Sequence, residues 1–457
     1  MSLCAGVALG GDSVSAVVAG EDARASTADR VSVPALLVIA PGVGALVGPQ
    51  AERFAASGGG TVFRDFADRV GDPVPVVGSD GSSRLGADLV AMTIGSVLQG
   101  HAAAGSKLAH LAIAHPSDWG PYEMSVMRSA LTCTEAEGVP TSLVSRPIAA
   151  VIAAVGAGMM SSSETVIVAD ICSQGTEVAL VTGAEGHVGR LAATCRTDDL
   201  GSAALDHALA RHVLEQVRGQ LPASDLRDPA NRVIVRHVVA ATRLARQDLV
   251  RHTSTVVDVR LPAHSAPVRI VRAEFESLAR EPIHAGLSSI THLMGHAHCN
   301  GIEVRAIVLT GEVARTPLLT ELISAQWPTR VVIPPSPEWA TTNGTARIAV
   351  GRSQPRLITP LSPARPNVSN PARPQPVQSS ADGPQLLRRN PKTPASSSHA
   401  SPAVSGVQPT AASERKWTLR WGAIQLTAAL ISDSHRQPGD HHDRGASLRP
   451  RAVPRHG

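Results

Sequence analysis

A chain of 457 residues has room for two or three domains, and 43% hydrophobic content with 2% aromatics implies a core of Val, Ala, Leu and Ile. Residues 353–457 carry 14 Lys/Arg against 5 Asp/Glu, so the net +4 divides into a +9 tail and a −5 body. A slightly acidic body with a basic tail excludes a dedicated nucleic-acid-binding domain. The five cysteines, Cys4, Cys133, Cys172, Cys195 and Cys299, lack CxxC spacing, which points to reduced thiols in a cytoplasmic body rather than a disulfide framework.

The first residues, MSLCAGVALGGDS, have no basic region ahead of an apolar run, so they read as a first strand and not a signal peptide. Residues 3–20 give strand, Gly-Gly-Asp-Ser turn and strand; PALLVIA is a further strand, and 61–87 is loop-rich. Apolar spacing over 86–103 predicts a helix. A strand over 108–120 ends at His115-Pro116, Pro121–Glu137 is an amphipathic helix, TSLVSRP a short strand, and Ile148–Ala157 a small-residue helix.

Next comes Val166–Val181, VIVADICSQGTEVALV, two β-branched runs around a tight turn. Asp170 ends the first run, facing the turn Cys172–Thr176. Such a turn can aim backbone N–H groups at a phosphate while the acid holds a cation or its waters. Helices are expected at Asp199–Val217 and Asn231–His252, paired strands at Thr255–Leu261 and Pro267–Val271, and a helix over Arg272–Met294. Arg305–Thr310 and Thr329–Ile333 read as strands, Thr316–Gln326 and Trp339–Gly351 as helices. Hairpins alternating with helices, twice over, indicate an α/β fold with two similar halves and a ligand cleft between them.

Twelve of the 63 residues in 353–415 are Pro, a composition that predicts a disordered linker. The apolar segment 416–432 is shorter than a bilayer span of about 20 residues. It reads as an interfacial helix or a vestigial anchor, hence as a possible site of peripheral membrane contact. The basic end, 433–457, shows no periodicity. The expected domains are therefore 1–352, the linker 353–415, the segment 416–432 and the tail 433–457.

With these pieces placed, residues 3–350 resemble the nucleotide-binding domain of the seventy-kilodalton heat-shock chaperones, within the actin-like ATPase superfamily. GVALGGDSVSA (6–16) and VADICSQGTEVAL (168–180) are similar to the two phosphate loops. The stretch 111–158 follows the proline-plus-aromatic segment and the connector, and DDLGSAALDHALARHV (198–213) resembles the helix start after the second loop. ATRLARQDLVRHTST (241–255), VLTGEVARTPLL (308–319) and PEWATTNGTARIAV (337–350) match the adenine helix, the adenosine loop and the closing helix. The resemblance implies a two-lobed actin-like ATPase fold with duplicated mixed sheets and flanking helices, binding ATP or ADP with Mg2+. It implies nucleotide contacts at Gly10, Gly11, Asp170, Gly175, Thr176, Gly201, Arg246, Gly311 and Arg315, metal-water ligands at Asp170 and Glu177, and Asp170 and Thr176 as catalytic candidates. Arg246 would stack on a base.

Several positions depart from the family pattern. Ala8 stands where an Asp is needed, Gly11 and Asp12 replace hydroxyls, and Arg146 replaces the connector Glu. Cys172, Ser173 and Gln174 replace loop glycines, Arg243 replaces a ribose-binding acid, and no Lys occurs in 61–73. The substrate-binding β-sandwich and lid give way to the Pro-rich tail. Two readings follow: a chaperone-like protein that binds nucleotide weakly with slow or no hydrolysis, or a non-catalytic scaffold for protein partners. The layout also resembles actinobacterial chaperone-like proteins, some of them associated with type VII secretion. His292, His296 and Cys299 share a helical face with zinc-like spacing, but a surface cluster is the preferred reading.

Overall fold

The computed structural model describes residues 2–20, 29–101, 107–134, 136–184, 187–223 and 225–353. The chain divides into two units, Met1–Thr359 and Pro360–Gly457. The expected linker from 354 on, the 416–432 segment and the basic end lie outside the described residues.

Two five-stranded sheets share one topology. In the first, the order is Thr141–Ser145, Lys107–His115, Ser2–Leu9, Ser13–Gly20, Asp29–Pro34. In the second it is Arg330–Val332, Ala306–Gly311, Val166–Ile171, Thr176–Ala184, His187–Thr197. Each is an antiparallel three-strand meander extended by two parallel strands on the free side of its first strand. The halves are therefore duplicates, as the alternation of hairpins and helices implies. The strand VIVADI is buried along its whole length, as a strand covered on both faces must be. Its third meander strand, His187–Thr197, is not among the elements expected from sequence.

Each half has its own core. Val7, Val14, Phe63, Leu89 and Ile113 belong to the first, and Ile167, Leu180, Leu209, Phe275 and Leu309 to the second. Between them lie two helices rich in small residues, Arg146–Gly156 and Ala340–Ser353. They cross closely enough that a Cβ on Gly344 would fall onto the Ala149 carbonyl, and the second helix lies so near the strand Ser2–Leu9 that a Cβ on Gly6 would fall onto the backbone of Ala346. Small residues here are a condition of the crossing.

Boundaries differ from expectation in three places. The helix starting at Pro121 stops at Leu131, where Thr132 and Thr134 hydroxyls turn back onto the carbonyls of Ser129 and Leu131. The helix starting at Arg272 runs on to Cys299, through Pro282. The stretch VGPQAERFAASG, to which the sequence reading assigns no element, contains a helix, Gly48–Ala56, with Pro in its first turn. Among the described residues no helix is long and apolar enough to cross a membrane.

Candidate functional site

The register of the second sheet builds the site. Asp170 lies opposite Glu177 on one side and Thr310 on the other, and Glu177 lies opposite Arg196. Directly opposed residues share a face, so Thr310, Asp170, Glu177 and Arg196 form one row at the strand ends.

Into this row comes Arg146, the first residue of its helix, buried with 8% exposure. A cation at a helix N-terminus opposes the helix dipole, and two carboxylates offset that cost. Arg146 Nη2 and Nε donate to Asp170 Oδ2 at 2.5 and 3.2 Å, and Nε lies 3.9 Å from Glu177 Oε2. The Thr310 hydroxyl donates to Asp170 Oδ1 at 2.9 Å, and Thr341 reaches Oδ2 at 3.5 Å. The Ser117 N–H donates to Glu177 Oε1 at 2.8 Å. Cys172 Sγ also lies against Arg146 Nη2. Burial pushes the Cys172 thiol up to about 12, so the thiol is neutral near pH 7. Burial also raises the Glu177 carboxyl above its usual 4.5, with Arg146 and the Ser117 hydrogen bond pulling the other way.

The turn after Asp170 is clamped to the segment that follows the sheet. Ser202 and Ala203 N–H groups donate to the carbonyls of Cys172 and Ser173 at 2.9 and 3.0 Å. Thr176 is buried, and its hydroxyl donates to the Leu200 carbonyl at 2.7 Å. Gly175 packs so that a Cβ would sit 2.7 Å from the Thr197 carbonyl, and a Cβ on Gly201 would run into Ser173. Opposite, the Gly10 N–H closes its own turn onto Ser13 O at 2.8 Å. The two turns approach each other at Gly11, where a Cβ would lie 3.1 Å from Asp68 Oδ2 and 3.6 Å from Gln174 Cβ. The cavity lined by Gly11, Arg146, Gln174, Thr176, Glu177 and Arg196 measures about 20 Å³, room for about one water. At its mouth Arg196 bridges to Asp68 at 3.2 Å, with Asp198 at 4.0 Å. Ala8 lies in an alanine cluster with Ala114 and Ala149.

The residues that the resemblance assigns to adenosine lie in or beside a second ion network, centred on a buried arginine. Arg246 is fully buried, and its Nε donates to Asp206 Oδ1 at 2.6 Å and Nη2 to Glu312 Oε2 at 3.3 Å. Arg243 also pairs with Glu312, and Ser202 Oγ donates to the same carboxylate at 3.1 Å. Gly311 takes φ +88° where its Cα passes the Ile171 carbonyl. Arg315 donates to the Pro335 carbonyl, and its Nε lies 3.8 Å from Glu338. A continuous line of contacts thus runs from Glu177 through Asp170, Thr310 and Gly311 to Glu312, Arg246 and Asp206.

The residues present do not fit a divalent cation between Asp170 and Glu177. The guanidinium already stands there, and it stays protonated at any physiological pH. A doubly charged ion about 4 Å from it would meet about 8 kcal/mol of repulsion at an effective dielectric near 20. Among the described residues no group of three His, Cys, Asp or Glu is placed to hold a metal. His292, His296 and Cys299 are exposed on their helix.

Two duplicated sheets with a cleft at their strand ends, bridged by crossing helices, define an actin-like ATPase fold. The Hsp70 protein family model matches residues 140–346, so that stretch is similar to the Hsp70 protein family and consistent with its nucleotide-binding domain. No curated protein matches the chain. Sequence reasoning missed Thr310, Thr341, Ser117, Asp206 and the Asp68–Arg196 bridge. The register of Thr310 against Asp170 could have been found, since both end runs of the same apolar pattern. Ser117 and Asp68 carry no sequence signal.

Proposed function

We propose a chaperone-like protein of the Hsp70 type that holds nucleotide weakly and hydrolyses ATP slowly or not at all. Arg146 carries the reading. Phosphoryl transfer rests on positioning and on neutralising charge that develops in the transition state. Here the cation between the strand-end acids is already engaged by both of them, and the room between the two turns is about 20 Å³. Asp170, Glu177, Asp68 and Asp198 outnumber Arg146 and Arg196 around that space, so a phosphate meets net negative charge. Calorimetry of ATP and ADP with the full chain, with and without Mg2+, tests the reading alongside phosphate release. The expected result is weak binding and release at the buffer rate. Magnesium-dependent turnover of about 1 s⁻¹ or more, an ordinary enzyme rate, would overturn it.

The enclosure of Arg246 favours a second reading, a non-catalytic scaffold whose cleft takes no nucleotide. A guanidinium held between Asp206 and Glu312 and without exposure has no face to offer a base. No heat of binding up to millimolar nucleotide selects this reading. Its partners would then be proteins, with 416–432 as a point of peripheral membrane contact; an unchanged membrane fraction after deleting 416–457 would sink that last element.

A further inference from the structure

The disagreement between this cleft and a divalent metal has a positive content. We infer that the Arg146 guanidinium is the resident cation of the cleft, standing where Asp170 and Glu177 meet and leaving a divalent ion no seat between them. The inference deepens the functional reading above and rests on it only for the choice of site.

Four observations carry it. First, magnesium needs several oxygens at about 2.0–2.1 Å in octahedral geometry. Asp170 has little to give, because Oδ2 accepts from Arg146 twice, with Thr341 at 3.5 Å, and Oδ1 accepts from Thr310, which leaves it one lone pair. Glu177 Oε1 accepts from Ser117, so only Oε2 remains, facing the guanidinium at 3.9 Å. Second, Arg146 stands at the start of a helix locked against Ala340–Ser353 at Gly344 and Ala149, so its backbone position is fixed beside the two acids. Third, Cys172 Sγ lies against the same guanidinium, and a buried thiol is a poor ligand for a hard cation. Fourth, Asp170 and Glu177 are register partners, so the two acids cannot separate without unzipping the hairpin. The cleft is thereby assembled without any ion from solution.

The experiment uses the full chain with Mn2+ as the probe, reading free Mn2+ by electron paramagnetic resonance and folding by thermal melts. The wild-type chain is expected to leave the Mn2+ signal unchanged up to millimolar and to melt at the same temperature in EDTA and in Mg2+. Arg146→Gln, which removes the cation and keeps both acids, is expected to take up Mn2+ at least about tenfold more tightly than wild type, since two freed carboxylates are hard-cation ligands. Its melting temperature should rise with Mn2+. The inference is overturned if wild type binds Mn2+ and Asp170→Asn abolishes that binding, or if folded Arg146→Gln binds no better than wild type. Should Arg146→Gln not fold, the wild-type arm decides together with Arg146→Lys, which keeps the charge and should remain indifferent to metal. Metal uptake by Arg146→Lys equal to that of a free carboxylate pair would count against the inference. The two proposals fail separately. ATP turnover in a chain that takes no Mn2+ at Asp170 defeats the functional reading alone, and Asp170-dependent Mn2+ binding without turnover defeats this one alone.

Discussion

Replacing Arg146 by Met tests whether the buried cation holds the cleft together. The side chain is removed from two carboxylates whose own exposure is 4% and 9%. Asp170 keeps Thr310 and Glu177 keeps Ser117, so neither acid loses every partner. Breaking a buried pair by deleting one member costs about 3–5 kcal/mol, mostly for the charge left behind. A body of roughly 350 residues unfolds with an entropy near 0.7 kcal/mol/K, taking about 2.1 cal/mol/K per residue. The variant should therefore melt about 4–7 °C below wild type at pH 7, followed by circular dichroism. Without the guanidinium, Glu177, which burial already raises and Arg146 lowers, binds a proton more readily in the folded chain than in the unfolded one. That raised-pKa condition favours folding at low pH and loses its benefit as pH rises. The gap between variant and wild type should then narrow from pH 7 toward pH 5. A triple variant, Arg146→Met with Asp170→Asn and Glu177→Gln, removes the stranded charges and should recover most of the loss. A melting shift under about 1 °C, or a gap that stays constant with pH, would refute the assignment of a compensating charge to Arg146.

Arg246→Met should cost about 3–5 kcal/mol by the same mechanism, measured by urea unfolding; a surface residue free to stack on a base would cost under about 0.5 kcal/mol, and that result would show the Asp206–Arg246–Glu312 network to be idle. Glu177 has its pKa raised above 4.5 by burial, so its contribution is full below 4.5 and is lost as pH climbs through the raised value; Glu177→Gln should gain stability relative to wild type across that window, and parallel stability–pH curves would contradict it. His115 is buried, stacked on Trp119 at 5.2 Å, with its pKa lowered from 6.5 by burial. Its contribution is present above 6.5 and lost as pH falls through the lowered value, so His115→Phe should flatten the acid side of the melting profile. Asp68→Asn cuts a half-exposed bridge to Arg196 and should cost under about 1 kcal/mol, less still at high salt; a larger, salt-independent loss would mean the bridge is shielded.

The sheets were legible because their strands are runs of Val, Ile, Leu and Ala bounded by Gly, Asp and Ser. VIVADI needs no tertiary information to be a strand, and the carboxylate at its end follows from the alternation. Helix ends were less legible, because Thr132 and Thr134 halt the helix after Leu131 through hydroxyl bonds that helical periodicity does not register. The third meander strand, His187–Thr197, was hidden because residues 190–197 alternate between exposed and half-buried, so no apolar run announces it. At the site, sequence placed Arg146 among the acids through the resemblance alone. Nothing in the chain order says that Arg146 meets Asp170, or that Arg246 finds Asp206 rather than the cleft. Those pairings join residues 24 and 40 positions apart and are decided by how the elements pack in three dimensions.

The buried arginines bear on how such a fold could act. A conformational cycle driven by a ligand requires that the ligand bind two states with different free energy. In a cleft whose acids wait for a metal–phosphate complex, that difference is large, because the complex supplies the charge that holds the halves together. Here Arg146 compensates Asp170 and Glu177, Arg246 compensates Asp206 and Glu312, and Arg196 reaches Asp68 across the turns. The closing charge belongs to the chain itself and is present whether or not a ligand arrives. A weak nucleotide present at its own dissociation constant adds only about 0.4 kcal/mol of stability. That is too little to move a packed interface between two arrangements, since a shift from 1:99 to 99:1 needs about 5.5 kcal/mol of differential binding. If nucleotide binds as weakly as proposed, a change of shape in this protein would have to act on the ion pairs themselves, or on surfaces away from the cleft.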